Sequence, residues 1–197
     1  MQGSDDLNSE EALASRLAAG DVRGAAALLV ELHGPALRRF LSARHPDRAE
    51  LDEVCQRAAV VALERLTTFE GRSSLKTWFL GLGHHTSLQF LEAKARERRA
   101  VPVSEAPSVP SPVRTQTAPH QQSGWKARFR ELRGTLRVED QQLLFLRVDQ
   151  GLPWAEVARV LEGEGAGAST AALRKRFERV TAELRERAVA AGWWDEL

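Results

Sequence analysis

Between Leu51 and Arg99, apolar residues return twice at a period near 3.6, on either side of a short polar break. Val54, Ala58, Val61, Ala62 and Leu66 form the first stripe, and Leu75, Trp78, Phe79, Leu82, Leu88 and Leu91 the second. Two amphipathic helices joined by the loop TTFEGRSS are predicted. Upstream, Glu10 to Ala19 reads as a short helix behind a polar start, stopped at Gly20, with Asp21 suited to cap the next helix. From Ala25 to Ala43, Leu28, Leu29, Leu32, Leu37, Phe40 and Leu41 mark a helix that Gly34-Pro35 should kink or split. HPDRAE then turns the chain. No alternating pattern of strand length occurs, so the expected fold class is all-α.

The same period resumes after Trp125. Leu132 and Leu136 lead into EDQQLLFLRVDQGL, where Leu143, Leu144, Leu146 and Val148 supply a core face and Gly151 stops the helix. Trp154, Val157, Ala158 and Leu161 define a short helix with Pro153 at its start. Beyond EGEGAGA, Ser169 or Thr170 can cap a longer helix in which Leu173, Phe177, Val180 and Leu184 face inward and Arg174, Lys175 and Arg179 outward. Helix, glycine-containing turn and cation-bearing helix is the plan of a helix-turn-helix DNA reader. Between the halves, VPVSEAPSVPSPVRTQTAPHQQSG holds five of the chain's eight prolines and no apolar periodicity. This is read as an extended Pro/Ser-rich linker, equally a passive tether or a strand threaded through a partner's groove. The expected organisation is therefore a domain over 1–99, a linker over 100–124 and a domain over 125–197.

Composition trims this picture. A chain of 197 residues suits one to two domains. With 28 basic and 27 acidic side chains the net charge of +1 decides nothing, but cations gather in Lys94–Arg99 and Arg174–Arg187, which suggests local contact with an anion. Cys55, the single cysteine, rules out an intrachain disulfide and fits a reducing compartment. It reads as a packing residue. With no signal-peptide pattern and no apolar run of spanning length, a soluble cytoplasmic protein without membrane insertion is expected.

The candidate chemistry is that of binding. No nucleophile elbow, zinc-protease helix, phosphate loop or dinucleotide fingerprint occurs, so neither an enzyme nor a cofactor is expected. His84-His85 lacks further ligands at metal spacing, so no metal site is expected and the pair reads as solvated or phosphate-facing. The loop gathers Phe69, Gly71, Arg72, Ser73, Ser74 and Lys76, a set able to hold a base and its phosphate. Trp193-Trp194 reads as either a helix cap or a docking patch.

Taken in order, these segments resemble the bacterial extracytoplasmic-function (ECF, group IV) sigma factors of RNA polymerase. EALASRLAAGDVRGAAALLVELHGPALRRFLSA is similar to the family's opening helices, and DRAELDEVCQRAAVVALERL to its clamp-binding helix. GRSSLKTWF is close to its Gly-x-Ser-x-aliphatic/aromatic-Arg/Lys-Thr-Trp signature. VEDQQLLFLRVDQGLPWAEVARVL and AALRKRFERVTAELRE resemble the helices of its second domain. The resemblance implies a sigma-2-like helical bundle and a sigma-4-like helix-turn-helix unit, and a non-enzymatic function in promoter recognition, DNA melting and transcription initiation. Its partners would be core RNA polymerase, at the clamp and flap regions, promoter DNA, and an anti-sigma factor where one holds the protein inactive. The linker would pass through the polymerase towards the RNA exit path.

By position, the resemblance assigns Asp52, Glu53, Gln56 and Arg57 to the polymerase clamp, with Arg57 replacing a usual acidic residue. It assigns the loop residues above to capture of a flipped minus-ten base, together with His84 and His85, and Lys94, Arg96, Arg98 and Arg99 to the following phosphates. Ser169, Thr170, Arg174, Lys175, Arg176 and Arg179 fall at the minus-thirty-five element. Three departures stand out. An Arg-x-x-Arg-Asn pattern is replaced by Gly81, Leu82, Gly83, His84 and His85, the helix-turn-helix connection is longer than usual, and two glycines interrupt a helix. The first of these, Gly81 to His85, favours an alternative reading, a sigma-derived interaction module that binds polymerase or a regulatory partner without opening promoters.

Overall fold

In a computed structural model the described residues, 2–100, 124–163 and 170–192, are helical or in short turns, with no strand among them. The first half comprises α1 (Gln2–Ala18), α2 (Val22–Ser42), α3 (Arg48–Arg65), a 3-10 turn at Leu66–Thr68, and α4 (Leu75–Ala100). The second comprises α5 (Gly124–Gly134), α6 (Val138–Leu144), a π turn at Phe145–Asp149, α7 (Trp154–Glu162) and α8 (Thr170–Ala190).

The helix starts follow from short polar side chains. Asp21 accepts a hydrogen bond from the Gly24 amide at 2.9 Å, and Asp47 one from Glu50 at the same distance. Each satisfies an amide that the helix itself leaves without a partner. Gly20, with φ 75°, turns the chain out of α1. That helix begins at Gln2 rather than at Glu10, where hydrophobic periodicity first becomes readable.

Of the kink or split expected at Gly34-Pro35 the split does not occur, and α2 runs through Pro35 from Val22 to Ser42. Leu29 before the proline and Leu37, Phe40 and Leu41 after it are all buried in one core. Their combined burial, at about 2 kcal/mol for each large side chain, exceeds the roughly 3 kcal/mol that an interior proline costs.

That core does not stop at the end of the first half. A contiguous apolar cluster takes in Val54, Ala58, Phe79 and Leu80 and continues through Leu143, Phe145, Leu146, Val157 and Val160. A smaller cluster, Leu136, Leu144, Val180 and Leu184, joins α6 to α8. The helices expected as two domains are thus packed together. Arg44 donates to Gln142 Oε1 at 2.8 Å and faces Glu139 at 3.7 Å, both across the junction. The expected linker lies outside the described residues except at its two ends, Ala100 and Gly124, each of which is helical.

Candidate nucleic-acid interface

The loop between the 3-10 turn and α4 is short and internally organised. Phe69 packs on Trp78, ring centroids 5.5 Å apart and planes tilted by 57°. Gly71 has φ 69°, a left-handed conformation that side chains with a Cβ resist. Ser74 caps α4: its Oγ accepts from the Thr77 amide at 3.1 Å and donates to the buried Thr77 hydroxyl at 3.0 Å. Ser73 donates to the Ser74 carbonyl at 3.3 Å, and Arg72 pairs with Glu70 at 3.0 Å in solvent. Beside the loop, α3, α4 and α7 enclose a cleft of about 320 Å³ whose walls include Arg65, Ser73, Trp78, His85, Gln89 and Arg159. One ring of the aromatic pair, Trp78, a hydroxyl and two guanidinium groups thus border one concave space.

Four candidates expected to face DNA are used differently. Ser74 has its hydroxyl committed to the helix start. His84 was expected as a solvated or phosphate-facing neighbour of His85, and it is buried instead, 5.8 Å from the Phe40 ring. Burial, followed by the nearby charges of Arg44 and His85, pushes its pKa down to about 4, against smaller opposing effects of the Leu161 backbone and Glu139. It is a neutral core imidazole, while His85 is exposed and bonds to Gln89 at 3.0 Å. Lys94 is tied to Glu50 of α3. Arg176, half-buried on α8, donates from Nε to Asp140 at 2.6 Å.

Other candidates stand at the surface. Arg96 and Arg98 are exposed near the end of α4, as is Arg99, which donates to the Ala95 carbonyl at 3.1 Å. Lys76 is half-buried in the first turn of α4. On α8, Arg174, Lys175 and Arg179 are exposed, with Arg174 6.0 Å from the Trp154 ring, and Thr170 opens the helix. Trp154 and Phe177, edge to face at 5.5 Å, hold α7 against α8. Ser169, most of the helix-turn-helix connection and Trp193-Trp194 lie outside the described residues.

On α3, Asp52 pairs with Arg38 of α2, Glu53 accepts from Arg57 at 2.5 Å, and Arg57 lies 5.1 Å over the Phe90 ring. Gln56 is exposed. Two residues absent from the sequence-based set belong beside them: Val60 and Leu63 are exposed apolar side chains, at 55% and 39%. The pattern did contain a signal, since neither falls on the Val54–Ala58–Ala62 stripe that meets the core. Cys55 is half-buried, and burial pushes its thiol pKa up, as for a packing residue. Among the described residues no group of three metal-ligating side chains gathers, and no helix is long and apolar enough to cross a membrane.

Residues 29–97, the span from the middle of α2 to the end of α4, match the family described as Sigma-70 region 2. Over 166 residues the chain is 24% identical to the ECF RNA polymerase sigma factor SigX of Bacillus subtilis (strain 168), covering 80% of this chain and 86% of that protein. Its fold is similar to a chain in the solved structure of CnrH in complex with the cytosolic domain of CnrY. That match has a TM-score of 0.60 at 22% identity and covers 92% of this chain and 98% of the other. The family match thus covers α3, α4 and the loop between them, and the likeness to the solved structure is one of fold.

Proposed function

We propose that this chain is a sigma factor of the ECF type that brings core RNA polymerase to promoters and helps to separate the strands there. The observation that carries the reading is the coincidence of the Sigma-70 region 2 match, residues 29–97, with the helical pair whose connecting loop packs Phe69 on Trp78 of α4, at the wall of a cleft that Arg65 and Arg159 also line. Opening a duplex costs a few kcal/mol for each base unstacked. Stacking a base on an aromatic ring returns about 1–3 kcal/mol, so a loop that receives one base offsets much of the cost without covalent chemistry.

In this reading Asp52, Glu53, Gln56 and Arg57, with Val60 and Leu63, form the polymerase-facing side of α3. Phe69, Gly71, Arg72, Ser73 and Lys76 hold the minus-ten base, and His85, Arg96 and Arg98 lie along its strand. Arg174, Lys175 and Arg179 of α8 meet the minus-thirty-five element. The protein acts where polymerase acts, in the cytoplasm. A protein partner of the anti-sigma kind fits the same surfaces, as CnrH is found with the cytosolic domain of CnrY.

Run-off transcription with core enzyme on a genomic promoter library tests the proposal. Initiation from a discrete promoter set is expected. A folded protein that binds core enzyme and yields no start site would sink it. The burial of His84, at a position where the family carries an arginine, favours a second reading, an interaction module that binds polymerase without opening promoters. Polymerase binding with no promoter footprint would select that reading.

A further inference from the structure

The cleft beside the loop exists in part because position 81 carries no side chain. Gly81 lines it, and a Cβ built there would meet nothing closer than Val160 Cα at 3.6 Å and the Arg159 carbonyl oxygen at 3.7 Å. Alanine would stand in ordinary contact, whereas a longer side chain has only the cleft or α7 to enter. The volume left open, about 320 Å³, falls at the small end of ligand pockets, which run from roughly 300 to 1,000 Å³.

Its walls combine two chemistries. Val61, Leu82 and the half-buried indole of Trp78 are apolar, while Arg65, Arg159, Ser73 and Gln89 are polar. Among the described residues no carboxylate lines the space. Glu156, outside the lining, holds Arg159 at 3.3 Å, so that cation is shared. Arg65 is exposed, and its guanidinium has no partner among the described residues. Ser73 donates only to the adjacent carbonyl, at 3.3 Å, and Gln89 meets His85 through its amide nitrogen at 3.0 Å, which leaves the amide oxygen to accept. A guanidinium fork matches a phosphate. An indole stacks on a base, and a hydroxyl and an amide can bond to its edge. Together these groups select an anion that carries an aromatic ring.

We propose that this cleft binds a free purine nucleoside monophosphate, the base stacked on Trp78 and the phosphate held by Arg65 and Arg159. A purine covers more of an indole than a pyrimidine does, and a single phosphate suits one unshared and one shared guanidinium. Arg159 lies on α7, outside the matched residues 29–97, so the site uses a group that the loop and its two flanking helices do not supply. The site itself is independent of the sigma-factor reading. That reading enters only through Ser73 and Trp78, which also border the loop assigned to a minus-ten base, so that a bound nucleotide and a DNA strand exclude each other.

Isothermal titration calorimetry of the full chain with adenosine and guanosine 5′-monophosphate, and with inorganic phosphate, adenosine and guanosine alone, tests the site. At least one nucleotide should bind once per chain, roughly tenfold or more tighter than its phosphate or its nucleoside. Arg65→Ala should weaken it by about tenfold and Gly81→Leu should abolish it, both at unchanged helix content; should Gly81→Leu fail to fold, Arg65→Ala decides. A single-stranded minus-ten oligonucleotide should raise the apparent dissociation constant of the nucleotide. No saturable binding of either nucleotide, phosphate bound as tightly as the nucleotide, or an affinity that Arg65→Ala leaves untouched overturns the proposal. Binding of the oligonucleotide with none of either nucleotide gives the cleft to a DNA strand and overturns it too. If the nucleotide binds as expected and no promoter is used in run-off transcription, the site stands and the sigma-factor reading falls. Transcription from discrete promoters without nucleotide binding does the reverse.

Discussion

Phe40 of α2 and Phe145 at the head of the π turn stand with ring centroids 5.9 Å apart, joining helices from opposite halves of the chain in one core. Both are almost fully buried, Phe145 at 7% exposure and Phe40 at 1%. Truncating Phe145 to Ala removes a large apolar side chain where neighbouring helices can close only part of the space. A loss of about 3 kcal/mol or more is expected. Urea titration followed by far-ultraviolet circular dichroism and by tryptophan fluorescence should give coincident, earlier transitions. Two separate transitions, with only one shifted, would show that the halves do not share a core.

Much of this architecture was legible from periodicity alone. The stripes Val54–Ala58–Ala62 and Leu143–Leu146 are local patterns, and Asp21 is a local cap, so one segment of sequence suffices to read each. Pro35 misleads because its cost is local while the burial of Leu29 and Leu37 that outweighs it comes from packing. His84 misleads for a related reason. An imidazole next to another imidazole on a helix carries no mark of which one meets Phe40 and Leu161. Gly81 and Gly83 read as weak points in a helix, and only the approach of Val160 and Leu37 shows that each makes room for a neighbour. The surface residues Val60 and Leu63 were visible as apolar positions off the stripe, but exposure is a property of the assembled fold.

Acid should loosen the protein well before its carboxylates titrate. His84 has its pKa pushed down to about 4, first by burial and then by Arg44 and His85, and His45 is lowered by burial, then by Arg44 and Lys94. A histidine held below its ordinary 6.5 is neutral in the fold and takes up a proton on unfolding. Its contribution is fully present above pH 6.5 and is lost as pH falls towards the folded value. Between pH 7 and pH 5, His84 alone accounts for a loss of about 2 kcal/mol. Urea midpoints measured across that range should fall for the native protein and much less for His84→Asn. Parallel slopes for the two would remove His84 as the cause.

The two serines of the loop should separate by function. Ser74 supplies the cap of α4, so Ser74→Ala should cost about 1 kcal/mol of stability. Ser73 lines the cleft and bonds only to the adjacent carbonyl, so Ser73→Ala should leave the unfolding midpoint unchanged while weakening binding of a single-stranded minus-ten oligonucleotide, read by fluorescence anisotropy. An unfolding midpoint that drops for Ser73→Ala and holds for Ser74→Ala would reverse these roles. Phe69→Ala, which removes the stacking partner of Trp78, should weaken the same binding by roughly tenfold, in line with about 1–3 kcal/mol per stacked base.

The cations of α8 are equally divided. Arg176 Nε donates to Asp140, whose side chain is only 7% exposed, at 2.6 Å. Removing the guanidinium leaves a carboxylate with little access to water and one fewer donor. Arg176→Ala should therefore destabilise the protein by about 2 kcal/mol or more and lower DNA binding only through loss of fold. Lys175 and Arg179 are exposed and, among the described residues, have no such tie to the core. Lys175→Ala should leave thermal unfolding within about 0.5 kcal/mol of the native value, weaken binding to minus-thirty-five duplexes of any sequence, and reduce the slope of log affinity against log salt by about one. Arg174, beside Trp154 and nearer the start of the helix, should differ in kind: its removal costs about 1–3 kcal/mol for the preferred sequence and less for others. A salt slope unchanged by Lys175→Ala, together with equal losses on all sequences for Arg174→Ala, would mean that α8 does not lie in the groove by this face.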